Sequence, residues 1–296
     1  MSTRWFSCSA LFAMVAIAVP AAAQSYGTRA YAVSSVEGVG QANDGTTFIQ
    51  RGTTSASASA DYAGNQFGSI PSTGSATGSA TLADGSLRGY ASTTGRGSAS
   101  AQLGWQDVLT FQGLGARDPS GVTPITILYT FEGELTTGPG SVALGRGQLL
   151  IGGPFSEGTN AIDAYYRTDQ HVTNEFTWGT QNPFISRELI QNGPSSWTIR
   201  AVWGLPNTYS GMFIGASLQS LAFGSATADF SGTSSVRLEL PAGVTFTSAS
   251  GQFLSAIAPA GAVPEPSTWA MMLIGFGAIG TAMRRGRRLS WTAQAT

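Results

Sequence analysis

Small apolar and hydroxyl residues alternate along much of the chain between Tyr26 and Val263. In Ser55-Ala-Ser-Ala-Ser-Ala60 and Ser98-Ala-Ser-Ala-Gln-Leu103 every second side chain is polar, which puts hydroxyls on one face of a strand and alanines on the other. The same reading predicts strands at Arg29 to Val36, Ser75 to Leu82, Leu87 to Thr93, Asp107 to Phe111 and Ile125 to Leu135. It continues through Val142 to Ile151, Ala161 to Arg167, Val172 to Trp178, Trp197 to Leu205, Met212 to Phe223, Ser234 to Leu240 and Val244 to Thr247. No stretch of the body carries a helical apolar period.

Turn-forming residues punctuate these runs at Asn43-Asp44-Gly45, Ala83-Asp84-Gly85, Gly138-Pro139-Gly140, Asn192-Gly193-Pro194 and Pro241-Ala242-Gly243. Many short strands at regular spacing predict an all-β body, an antiparallel sandwich of the jelly-roll kind. Its first part, residues 27 to 100, is poor in large apolar groups. Alanine strands bury little area, so this part reads as edge strands or a thin, close-packed face. Residues 52 to 83 also fit a flexible low-complexity linker. The larger core is expected from Trp105, Leu109, Phe111, Ile127, Tyr129, Phe131, Trp178, Trp197, Ile199, Val202, Phe213, Phe223, Phe230, Val236, Leu238 and Phe246.

Composition points to an exported protein. Only 10% of the 296 residues are charged, 39 are glycine, and all 15 basic residues are arginine. At the N-terminus Arg4 precedes the apolar run Ala10 to Val19, then Pro20 and Ala21-Ala22-Ala23. This is a secretory signal over residues 1–23, with Ala21 and Ala23 as the small residues of the cleavage site and the Sec machinery as the implied partner. The single cysteine, Cys8, lies inside it, so the exported chain has no disulfide, thiolate nucleophile or cysteine-ligated metal. Between Gln24 and Val263 ten arginines stand against fifteen carboxylates. An acidic body lacks the basic face that nucleic acid requires.

The C-terminal segment is different in kind. Val263-Pro264-Glu265-Pro266 is followed by an apolar run from Ser267 to Met283 and by Arg284, Arg285, Arg287 and Arg288. The run is at the short end of the ~20 residues that span a bilayer, and the arginines hold its far end in the cytoplasm. Pro264 and Pro266 keep the preceding backbone extended, a form that a processing enzyme can grip. The expected organisation is a signal peptide (1–23), a β-sandwich (24–257), a linker with the motif (258–266), a transmembrane helix (267–283) and an arginine-rich tail (284–296).

Pro264-Glu265-Pro266, Trp269-Ala270, Gly275-Phe276-Gly277 and the arginine cluster closely resemble the PEP-CTERM sorting signal, in its subclass with a Trp-Ala pair after the motif. The resemblance covers about residues 262 to 288. It implies a Gram-negative, polysaccharide-producing bacterium and an exosortase-type membrane protease that removes the tail. The precursor would then be held transiently in the inner membrane before release or attachment outside. Three body segments are similar to stretches of exported proteins that carry this signal: Thr81 to Arg88, Gly97 to Phe111 and Ser250-Gly251-Gln252-Phe253. Such bodies are largely without assigned activity, and the resemblance supplies no catalytic residue.

Catalytic chemistry is thinly represented. Gly275-Phe-Gly-Ala-Ile-Gly280 spells a dinucleotide-binding pattern, but it sits in the membrane segment without the strand and amphipathic helix that this motif needs. His171 is the only histidine, and no G-x-S-x-G elbow occurs. Glu132 and Glu134 alternate on one side of an expected strand, with Asp163, Asp169 and Glu175 further along. Such carboxylates suit a glycoside-cleaving cleft or a solvated outer face. A calcium site would have to be assembled from loops such as those of Asp44 or Asp84. Gly138 to Gly145 lacks the ending of a phosphate-binding loop.

Tyr165, Tyr166, Trp178, Trp197, Trp203 and Tyr209 could stack on sugars where exposed, although core packing is the commoner fate of tryptophan in a sandwich. The expectation is a non-enzymatic surface or matrix protein with no cofactor or metal, associated with extracellular polysaccharide. The alternative is a lectin-like binding sandwich or a polysaccharide-cleaving enzyme.

Overall fold

The computed structural model describes residues 26–37, 39–66, 70–114, 121–153, 160–167, 184–232 and 234–255. The first strands are β1 (Gly27–Val36), β2 (Gly40–Gly45), β3 (Gln50–Arg51), β4 (Ser55–Gln66), β5 (Ile70–Thr81) and β6 (Ser86–Thr94). The middle of the chain forms β7 (Gly97–Gln112), β8 (Val122–Glu132), β9 (Glu134–Thr137), β10 (Val142–Gly152) and β11 (Asn160–Arg167). The body ends with β12 (Phe184–Gly193), β13 (Ser196–Pro206), β14 (Gly211–Phe223), β15 (Ala226–Phe230), β16 (Ser235–Glu239) and β17 (Thr245–Ser248). No helix occurs among the described residues.

All strand pairs are antiparallel and form three sheets. The largest runs β11-β10-β14-β7-β1-β2, with β3 beside β1 and β17 beside β7. The others run β4-β5-β6-β15-β9 and β12-β13-β8-β16. β8 and β9 are separated only by Gly133, so one chain path passes from one small sheet to the other. Both small sheets pack on the same face of the large one. A Cβ on Gly145 of β10 would collide with the ring of Phe230 from β15, and one on Gly147 with the ring of Phe131 from β8. Bare backbone at these positions is therefore what seats the two rings. This strand order is an antiparallel sandwich; the jelly-roll winding expected from the strand count goes beyond it.

The core changes character along the sandwich. Under β4 to β6 it consists of small groups: Ala30 and Ala32 of β1 pack with Ala58, Ala60, Ala76, Ala80 and Ala91, all buried. Sheets normally stand ~10 Å apart, and alanine lining makes a thin layer. Residues 52 to 83 are thus two long paired strands rather than a linker, with β4 at the sheet edge. Under β8 and β13 the core turns aromatic. Phe131 stacks on Trp197 at 5.9 Å between centroids and lies 6.4 Å from Phe230, while Tyr166 lies 4.3 Å from Trp197.

Several expectations change in detail. Phe223 is 50% exposed rather than in the core, because it ends β14 on the face away from the other layer. Val202 and Leu238 are half-buried. Asn43 and Asp44 lie within β2, whose last residue, Gly45, has φ 82°, and the chain bends after it at Thr47 and Phe48. The strand expected at Ile125 to Leu135 is two strands, because the backbone breaks at Gly133 to let Phe230 in beside it. β2, β3, β12 and β15 were not anticipated; their burial is shallow or their length short. Trp178 and the strand expected at Val172 to Trp178 lie outside the described residues.

Candidate functional site

The described body ends at Ser255, and its last turn folds back over β7. One edge of β7 is shared. β1 pairs with it as far as Gln106, and β17 takes over from Leu109. Asp107 and Val108 fill the gap between them. The Asp107 side chain is fully buried and lies on the core side of β7, between Trp105 and Leu109. Its carboxylate accepts hydrogen bonds from the backbone N–H groups of Val108 (2.7 Å) and Ser250 (3.3 Å) and from the Ser250 hydroxyl (2.5 Å). Ladder bonding that the interrupted strand edge cannot supply is replaced by a side chain. Burial pushes the Asp107 carboxyl above its ordinary range, while the Ser250 and backbone hydrogen bonds pull it back down.

Aromatic packing closes the same turn. Trp105 donates its indole N–H to the Gly85 carbonyl at 3.0 Å and packs against Phe253 at 5.1 Å between centroids, the rings tilted by 51°. Phe253 lies 6.3 Å from Phe246, which lies 6.2 Å from Phe111. The N–H of Leu254 reaches the Leu82 carbonyl at 3.0 Å, and the Asp84 carboxylate caps the turn by accepting from Ser86 N–H at 3.0 Å. The three segments singled out in the sequence, Thr81 to Arg88, Gly97 to Phe111 and Ser250 to Phe253, therefore meet at one place. That place is where the chain leaves the body toward residues 256–296, which form a second unit.

Arg146 of β10 and Asp163 of β11 form an ion pair. The guanidinium makes 3.1–3.3 Å contacts with both carboxylate oxygens, and the Asp163 side chain is 3% exposed against 35% for Arg146. Tyr129 is buried completely and its phenol is pushed far up by burial; its hydroxyl donates to the Ser217 carbonyl at 3.3 Å. Nearby, the buried Ser234 hydroxyl donates to the Leu87 carbonyl and accepts from Leu87 N–H. These are structural satisfactions of buried polar groups.

The carboxylates expected to pair do not share a strand. Glu132 ends β8, where it accepts from the Ser196 hydroxyl at 3.0 Å, and Glu134 opens β9; both are exposed. Among the aromatic candidates, Trp197 and Trp203 are core residues at 5% and 4% exposure, Tyr166 packs on Trp197, and Tyr209 is 51% exposed. Among the described residues no cluster of histidine, cysteine and carboxylates could hold a metal ion. His171, Asp169, Glu175 and the side chain of Tyr165 lie outside them. So do Ala21 and Ala23 and every residue of the sorting signal: Pro264, Glu265, Pro266, Trp269, Ala270, Arg284, Arg285, Arg287 and Arg288. No described helix is long and apolar enough to cross a membrane, and Ser267 to Met283 is likewise outside that set.

The decisive comparison concerns this last segment. Residues 262–288 match the PEP-CTERM protein-sorting motif. The motif implies a protein that is exported, anchored transiently in a membrane and processed by an exosortase. The chain matches no curated protein. In the described structure, the body closes seven residues before the motif begins, since Ser255 ends it and Ala262 opens the match.

Proposed function

We propose that this is a non-enzymatic surface or matrix protein that works in or on extracellular polysaccharide after its tail has been removed. The PEP-CTERM protein-sorting motif carries the reading. It is supported by a body whose outward positions are mainly hydroxyls, as on β4 and β5, where Ser55, Ser57, Ser59 and Asp61 stand opposite Thr81, Ser79, Thr77 and Ser75. Such a surface stays hydrated with little net charge. The producing cell is a Gram-negative bacterium in this reading, and the cleaved protein resides at its surface or in its biofilm matrix.

Mass spectrometry of the envelope and culture medium tests the reading. The expected mature chain begins at Gln24 and lacks the segment after the Pro-Glu-Pro. Recovery of only the intact chain from the inner membrane, in cells with a working exosortase, would refute processing. Failure of the mature protein to co-purify with the cells' exopolysaccharide would refute the association.

A further inference from the structure

The face of the large sheet turned away from the two small ones carries a polar array. Strand register places Tyr31 of β1, Gln102 of β7, Gln219 of β14 and Arg146 of β10 side by side in one row. The next row holds Ser217 of β14, Gln148 of β10 and Asp163 of β11. Arg146 grips Asp163 across the two rows, and within the second row the Ser217 hydroxyl donates to Gln148 Oε1 at 3.3 Å. All are half-buried except Asp163, which is buried. Two further donors on this face, Ser100 Oγ and Arg29 Nε, are buried with no partner among the described residues.

We infer that this face is a binding site for a neutral, hydroxyl-rich polysaccharide. Side-chain amides offer a donor and an acceptor at once, a phenol supplies a flat amphipathic ring, and the half-buried guanidinium donates while the buried Asp163 holds it in place. This is the set that vicinal hydroxyls require. Neighbouring heads are separated by about 4.8 Å across the strands and roughly 6.6 Å along them, distances that a single sugar ring bridges. A polyanion would call for cations not already committed to a carboxylate, and Arg146 is committed to Asp163. Arg146 with Asp163 and Ser217 with Gln148 hold each other in place, so binding freezes few of these side chains. The inference rests on the polysaccharide reading above and names the face that carries it.

Affinity gel electrophoresis tests it, using the full protein recovered from exporting cells and gels containing hydroxyethylcellulose, dextran or alginate. The neutral polymers are expected to retard the protein. Gln102→Ala with Gln219→Ala should weaken that retardation about tenfold, the loss expected for one or two hydrogen bonds, while Tyr90→Ala on the opposite layer should not. Gln102→Glu keeps the shape and should show the same loss, which covers a double variant that fails to fold. Undiminished binding by a folded Gln102 variant overturns this face and leaves polysaccharide association standing. Retardation by alginate alone overturns the neutral ligand. No retardation of the unsubstituted protein by any of the three overturns both.

Discussion

The hydroxyl of Ser250 lies 2.5 Å from Asp107 Oδ2, so the last turn of the body is bonded to a carboxylate that faces the core of β7. The contact spans most of the folded chain in sequence and sits at the point where β1 hands the edge of β7 to β17. It is the polar half of a closure whose apolar half is Phe253 on Trp105.

Ser250→Ala should lower the stability of the body by about 1.5–3 kcal/mol at neutral pH, the range for a hydrogen bond to a charged group. The pH dependence has a defined sign. Burial raises the folded-state pKa of Asp107, so the folded protein binds this proton more tightly than the unfolded chain does. This group therefore adds stability as pH falls from neutral through its raised folded value. Ser250 holds that value down, so its loss should cost most at neutral pH and less in mild acid. Urea unfolding at two pH values measures both effects; an equal or larger loss in acid would contradict the assignment.

Phe253→Ala should cost about 3–5 kcal/mol, as large aromatic truncations in cores do. It removes the contacts with Trp105 and Phe246 together. Exposure of the Trp105 indole should shift the tryptophan emission to the red in the folded variant. An unchanged spectrum and midpoint would show that the turn does not close on Trp105 in solution.

A chain ended after Ser255 should unfold at the same temperature as one that keeps the tail, because residues 256–296 form a separate unit. A chain ended after Thr247 loses Ser250 and Phe253 and should be markedly less stable. Thermal scans of the two truncations check this, and equal midpoints for both would place the end of the fold before β17 closes.

Gly145→Ala should destabilise the sandwich by about 1–3 kcal/mol through overpacking, since its new methyl runs into the Phe230 ring. Phe230→Leu combined with it should recover part of the loss, because the smaller side chain frees the space. Denaturant midpoints of the single and double variants decide; purely additive losses would mean that the two positions do not touch.

Pro264→Ala with Pro266→Ala should leave the body folded and the precursor uncleaved. Both prolines lie in the matched motif and beyond the last body residue. Without them the backbone is free to leave the extended form that a protease grips. Immunoblotting of membrane and medium fractions should show a membrane-held, heavier species; normal release would mean that recognition lies elsewhere in the segment.

Sequence alone was enough for the class of the body and for the address. Period-two alternation is a local property, and it marks strands wherever one face of a sheet is buried. That is why β1, β10, β13 and β14 were legible almost to the residue. The sorting motif is local too, since its prolines, apolar run and arginines follow one another along the chain. Shallow burial gave β12 a weak pattern, and β15, though buried, is only five residues long; both were missed for these reasons.

What only the tertiary structure decided depends on pairing between distant strands. Alternation shows that Gln102, Gln219 and Arg146 point to one side of their own strands. It cannot show that register sets them in one row. Asp107 reads as an ordinary polar position until Ser250 is brought to it across the β1–β17 junction. Side-chain direction is fixed by the two or three neighbouring residues, whereas which strands lie side by side is fixed by the burial of the whole core. The sequence therefore determined the elements and the destination, and the fold determined the closure and the polar face.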